Sequence, residues 1–171
     1  MKETIKRIEK IFGSLPQHKL PMTAGDHPEE DISSILTSTD RELYQMLIGM
    51  GQWIINLGRI DIMYSISSLS RFSSCPREGH MDRILKVFGY LKKYPNRAFC
   101  INKFKQNYDD YQSITCDWTQ EYPDACENIP TNAPDPLGST IRITCYVDSD
   151  HAHDTVTRRS VTGFIIILNS M

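Results

Sequence analysis

Between residues 39 and 93 the apolar side chains recur every three or four positions, and from 141 to 148 they recur at every second. That switch of period constrains the fold more than any other feature, because it asks for helices first and strands last. The clearest stripe is Leu43, Met46, Leu47, Met50, Trp53, Ile54 and Leu57, which should face a core. Thr39-Asp40-Arg41-Glu42 has the Thr-x-x-Glu form of a capping box, and Gly58 is placed to end the helix. Asp61 is placed to cap a second helix carrying Ile62, Ile66 and Leu69. Pro76 suits the first turn of a third, where its missing N–H costs nothing. Met81, Ile84, Leu85, Phe88 and Leu91 form that helix's apolar face. Three such helices on short turns should pack as an antiparallel cluster.

Around this cluster the pattern is weaker. Ile5, Ile8, Ile11 and Phe12 predict a helix over 3–13, and Gly13, Pro16 and Pro21 end it. Residues 14–37 read as loop, with His27-Pro28-Glu29-Glu30-Asp31 as a polar turn. A strand is expected over 97–104. Residues 105–139 are rich in Asp, Asn, Pro and Tyr, a stretch too long and irregular for the inside of a domain, with one possible short strand at 113–118. In the next strand Ile141, Ile143, Cys145 and Val147 share one face, while Arg142, Thr144, Tyr146 and Asp148 share the other. Residues 161–168 are apolar on both faces, which suits a strand covered on two sides. The expected class is α+β, with a helical unit at 1–104, a polar linker or insertion at 105–139 and a strand–turn–strand unit at 140–171.

Composition narrows the function classes. Net charge is −2, so no strong attraction to nucleic acid or to an anionic membrane follows. The five cysteines (Cys75, Cys100, Cys116, Cys126, Cys145) are odd in number and lack Cys-x-x-Cys spacing. They suit reduced thiols in an intracellular protein, cytoplasmic or nuclear, better than a disulfide framework or zinc site. No apolar run approaches a membrane span, and the charged N-terminus lacks a signal-peptide core.

Tyr146, Asp148, Ser149, Asp150 and Ala152, followed by Arg158-Arg159-Ser160, Gly163 and Phe164, resemble the opening of the ribonuclease H domain in Pol polyproteins of copia-type long-terminal-repeat retrotransposons. Ser149 replaces the usual Ala. Upstream, the segment from Tyr44 to Trp53, Gly58-Arg59-Ile60-Asp61-Ile62, Leu69-Ser70-Arg71-Phe72, and Pro76-Arg77-Glu78-Gly79-His80 reaching Tyr90-Leu91-Lys92-Lys93 resemble the stretch between polymerase palm and ribonuclease H. The resemblance implies a thumb- or connection-like helical unit and the first hairpin of a ribonuclease H-like sheet. The parent activity it implies is RNA-directed DNA synthesis with ribonuclease H cleavage, on an RNA/DNA template-primer. It further implies that palm and later ribonuclease H segments lie outside this chain.

Asp148 is the leading site residue. Ribonuclease H-type hydrolysis uses two divalent ions, Mg2+ or Mn2+, held by several converging carboxylates. By resemblance Asp148 matches the first metal-binding aspartate, with Asp150 as an outer helper or a turn stabiliser. The bland alternative is that Asp148 ends a strand and caps a turn. One carboxylate does not hold an ion pair, so the chain alone is expected to be inactive and to carry no cofactor. His151, His153 and Asp154 have zinc-like ligand types but lack a fourth ligand and read as a turn. Lys86, Lys92, Lys93, Arg97, Lys103 and Lys105 form the densest basic region, suited either to phosphate contact or to a solvated helix end. Two other functions remain: a non-catalytic protein-interaction module from a retroelement, or a small nucleic-acid-binding protein. The edge of the 161–168 strand, apolar and uncharged, is expected to self-associate or be covered.

Overall fold

Thr37 starts the principal helix of the computed structural model, which describes residues 2–97, 118–124, 130–134, 138 and 143–168. The order is α1 (Lys2–Phe12), α2 (Ser38–Asn56), α3 (Met63–Ser70), α4 (Glu78–Lys93), α5 (Trp118–Glu121), β1 (Ile143–Asp150) and β2 (Val161–Leu168). Short 3-10 turns lie at Pro28–Glu30 and Ile60–Ile62. The fold class is α+β, as expected, with β1 and β2 paired antiparallel in a two-stranded sheet. The chain divides into two compact units: Met1–Cys100 with Ser149–Thr162, and Ile101–Asp148 with Gly163–Met171. The expected strand at 97–104 and the first five residues of the one at 113–118 lie outside the described residues. At 118 a short helix stands where that strand would end.

In the first unit, α2 begins two residues earlier than its sequence suggests. Thr37 is the N-cap, and its hydroxyl accepts the Asp40 amide at 3.2 Å. Thr37 lies three residues before Asp40 and caps the Asp40 amide, whereas Thr39 was expected to cap that of Glu42. The other end matches expectation. Gly58 takes φ +99°, its N–H reaches the Ile55 carbonyl at 2.8 Å, and the Arg59 N–H reaches Ile54 at 3.3 Å. This paired closure needs a left-handed residue at position 58.

The buried face of α2 is Tyr44, Leu47, Ile48, Gly51 and Ile54. Met46, Trp53 and Leu57, expected in the core, are instead exposed. The cause is Gly51. A Cβ there would lie 2.4 Å from Cδ1 of Ile66, so α3 approaches α2 over the glycine and turns the helix by about one residue. Ile62, Ile66 and Leu69 are fully buried, as the spacing predicts. Asp61 does not cap α3, whose N-cap is Ile62 without a side-chain bond. Pro76 falls before α4 and not in its first turn; Arg77 is the N-cap, and its amide donates to Nδ1 of His80 at 3.0 Å. Met81, Ile84, Phe88 and Leu91 are buried with Val87 and Tyr90, while Leu85 is only partly so. Ile5 and Ile8 of α1 and Leu15 join the same core.

In the hairpin, β1 runs on to Asp150, so Asp148 lies within the strand and does not end it. The expectation that 161–168 is covered on both faces fails. Phe164 is 66% exposed and Ile166 55%, and only Ile167 is partly buried among the strand's residues.

Candidate functional site

The ten-residue turn of the hairpin is held by a dense set of hydrogen bonds, within itself and to the helical unit. Ala152 and Arg158 hold left-handed backbone, φ +55° and +58°, and bend the chain back on itself. The Ala152 amide donates to Oγ of Ser160 at 3.1 Å, and the Asp154 amide donates to the Arg159 carbonyl at 3.2 Å. These bonds join the two halves of the Tyr-x-Asp and Arg-Arg-Ser pattern across the turn.

Asp154 is the centre of this turn. Its side chain is 1% exposed, its Oδ1 accepts the amides of Val156 at 3.0 Å and Thr157 at 2.6 Å, and its Oδ2 accepts from the Arg71 guanidinium. The Thr157 amide, acting against burial and helped by Arg71, holds this carboxyl well below the usual carboxylate range. Two residues either side dock onto the helical unit. Thr155 donates its amide to Glu29 at 3.1 Å and its hydroxyl to Glu30 at 2.8 Å. His153 pairs Nδ1 with Asp150 at 2.6 Å and Nε2 with the Tyr64 hydroxyl at 2.6 Å, and its ring lies 5.4 Å from that of His27. His27 in turn meets Glu29 at 2.9 Å, a bond that raises its pKa above the ordinary value. Residues read in sequence as an isolated polar turn (27–31) are therefore the dock for the hairpin turn.

Asp148 and Asp150 are both exposed on β1. Asp150 lies 2.6 Å from Nδ1 of His153. Among the described residues no three or more of His, Cys, Asp and Glu converge where a metal ion could be held. His153 and Asp154, two of the three residues with zinc-like ligand types, are engaged in hydrogen bonds inside the turn.

The basic candidates differ in freedom. Lys92 donates to Glu9 at 2.7 Å and to the Leu15 carbonyl at 2.8 Å, tying α4 to α1. Arg97 donates to the Tyr90 hydroxyl at 2.6 Å and stacks on Tyr94. Lys86 reaches the Thr23 hydroxyl, and Lys93 lies over the Tyr94 ring at 5.7 Å. Lys103 and Lys105 lie outside the described residues.

Sequence reasoning missed two charge networks, one around the buried Arg59 and one around the partly buried Arg83. Arg59 is 6% exposed, grips Asp61 through Nε and a terminal nitrogen at 2.9 Å each, and donates to the Tyr94 carbonyl at 3.0 Å. Tyr90 adds a 2.6 Å bond to the same carboxylate. That explains the Gly58-Arg59-Ile60-Asp61-Ile62 pattern: it turns the chain and pins α2 and α3 to α4. Arg83 similarly holds Asp26 at 3.0 Å and Asp31 at 2.5 Å, fixing the 20–31 loop. The signal in the sequence was the close Arg59-Ile60-Asp61 spacing directly after the helix-ending Gly58.

Two known proteins resemble the chain. It is 35% identical over 74 residues to a transposon Ty5-1 protein of Saccharomyces cerevisiae, a match covering 43% of this chain and 23% of that protein. It is 23% identical over 141 residues to the retrovirus-related Pol polyprotein from transposon RE1 of Arabidopsis thaliana, covering 82% of this chain and 7% of that one. Both similarities point to a retrotransposon Pol origin. The chain thus spans a small part of the curated relatives it matches. No protein-family model matches it. No solved structure matches it significantly. Among the described residues no helix is long and apolar enough to cross a membrane.

Proposed function

We propose that the chain is a piece of a copia-type Pol polyprotein, from the stretch joining the polymerase to ribonuclease H. In this reading the helical unit is thumb- or connection-like, and β1 and β2 are the first hairpin of a ribonuclease H-like sheet. The observation that carries it is the hairpin itself. The two halves of the pattern resembling that domain's opening, Tyr146 to Ala152 and Arg158 to Gly163, face each other across one turn, with Ser160 bonded to Ala152.

Asp148 then stands on an open strand, in the place of a carboxylate that would share divalent ions with others. Among the described residues no further carboxylates converge with it, and one carboxylate does not hold a magnesium or manganese pair. The chain serves as scaffold and single ligand, and by itself catalyses neither DNA synthesis nor RNA cleavage. The basic end of α4, with Lys86, Lys92, Lys93 and Arg97, is the surface proposed to lie along an RNA/DNA template-primer, contacting phosphates without reading bases.

The reading is tested by the coding sequence around this chain. Integrase and palm coding upstream and ribonuclease H coding downstream, in one frame or in its decayed remains, are the expected result. Flanks unrelated to any Pol sequence would count against it.

A further inference from the structure

We infer that the docked hairpin turn is a proton-set clasp, which grips the helical unit while His27 carries a proton and slackens when His27 loses it. Residues 149–162 pack with the helices, whereas the strands that leave the turn at either end belong to the other unit. The turn is therefore the part of the hairpin that the helical unit holds, and one carboxylate is central to the grip. Oε1 of Glu29 takes the Thr155 amide at 3.1 Å, the Thr155 hydroxyl at 3.4 Å and Nδ1 of His27 at 2.9 Å.

The Glu29 side chain is only 7% exposed, so its charge is poorly hydrated and needs a partner. Among the described residues that partner is His27, and no Lys or Arg shares it. The nearby cations are taken, since Arg71 holds Asp154 and Arg83 holds Asp26 and Asp31. The carboxylates facing His27 on its own loop are Glu29, Glu30 and Asp26. Across the dock its ring lies 5.4 Å from that of His153, which is bonded to Asp150 of the turn and to Tyr64 of α3. The bond to Glu29 first, then the charges of Glu29, Glu30 and Asp26, outweigh burial and raise the His27 pKa above 6.5. A neutral His27 must keep its one hydrogen on Nδ1, in a weaker uncharged bond, or turn a lone pair toward the carboxylate. Either choice loosens the oxygen that Thr155 needs. The docked turn thus binds this proton more tightly than the open one. Its stability from this source is full below pH 6.5 and is lost as pH rises through the higher docked pKa.

The test is amide hydrogen exchange of the whole chain by NMR, taken as protection factors from about pH 5.5 to about 8.5, with melts confirming that each variant folds. Protection of the Thr155 amide should fall about 3- to 10-fold across that range. The amides of Ile66 and Phe88, in the core, should stay level. In His27→Gln, which keeps a donor but cannot gain a proton, the Thr155 profile should be flat. The His27 ring should titrate above 6.5 in the parent and fall back toward that value in Glu29→Gln. A Thr155 profile that is flat in the parent overturns the inference. So does a slope that survives His27→Gln, which would move the proton to His153. A His27 ring that titrates unchanged in Glu29→Gln overturns the part given to Glu29.

Discussion

Asp154 shows how one side chain sets the state of a whole turn. It terminates two backbone amides and one guanidinium at a point closed to solvent, so removing it leaves all three unmet. Asp154→Ala should cost on the order of 1–3 kcal/mol and loosen the turn, seen as faster amide exchange at Val156 and Thr157. Because its folded pKa lies below the ordinary 3.8, its contribution is present above that value and is lost only as pH falls through the lower folded one. His80 behaves differently. Its Nδ1 accepts the Arg77 amide and its Nε2 donates to the Pro28 carbonyl at 2.8 Å, so the ring is neutral, and burial lowers its pKa from 6.5. The unfolded chain then binds the proton first as pH falls, and the histidine's contribution, full above 6.5, declines below it. His27 opposes this trend, since Glu29 raises its pKa and its contribution grows toward acid. A comparison of parent with His80→Gln isolates the first effect. The variant should be less stable by about 1–2 kcal/mol at pH 7.5, and the gap should narrow between pH 6.5 and 5 in denaturant titrations. A gap that widens would contradict this assignment of protonation.

At the scale of elements, periodicity told where the helices are and which way α3 and α4 face. It mis-set α2, because a stripe of large residues outweighs a glycine in any count of apolar spacing. The contact that decides the rotation is Gly51 against Ile66, and its importance is geometric, invisible until a second helix is placed. Gly51→Ala should destabilise by about 1–3 kcal/mol through overpacking, and adding Ile66→Val should recover part of the loss. Additive effects in chemical denaturation would show that the two do not touch. Leu47, fully buried and called core from sequence, gives the control: Leu47→Asp should cost several kcal/mol. The caps were misplaced for a similar reason. Thr37 and Arg77 win because the loops before them, bridged at Ile35 and Arg77, fix where the helix can start. The hairpin turn was legible as a turn, but its dock on 27–31 joins residues over a hundred positions apart, which no local pattern reports.

The whole molecule contrasts a helical unit with a deep apolar core and a hairpin whose strands are largely bare. Hydrogen exchange should therefore be slowest in α2, α3 and α4 and faster in Ile143–Asp150 and Val161–Leu168. An exposed apolar strand is also an association hazard. Ile166→Lys should raise solubility at high concentration without altering the melting of the helical unit. The central proposal is that Asp148 is one carboxylate of a metal site whose other ligands are not found among the described residues, on a scaffold that folds around other contacts. Its most direct test is cleavage of an RNA–DNA hybrid, run beside primer extension, by the purified chain with magnesium or manganese supplied. The account predicts no turnover in either assay. Activity that persists through purification and disappears in Asp148→Asn would contradict it.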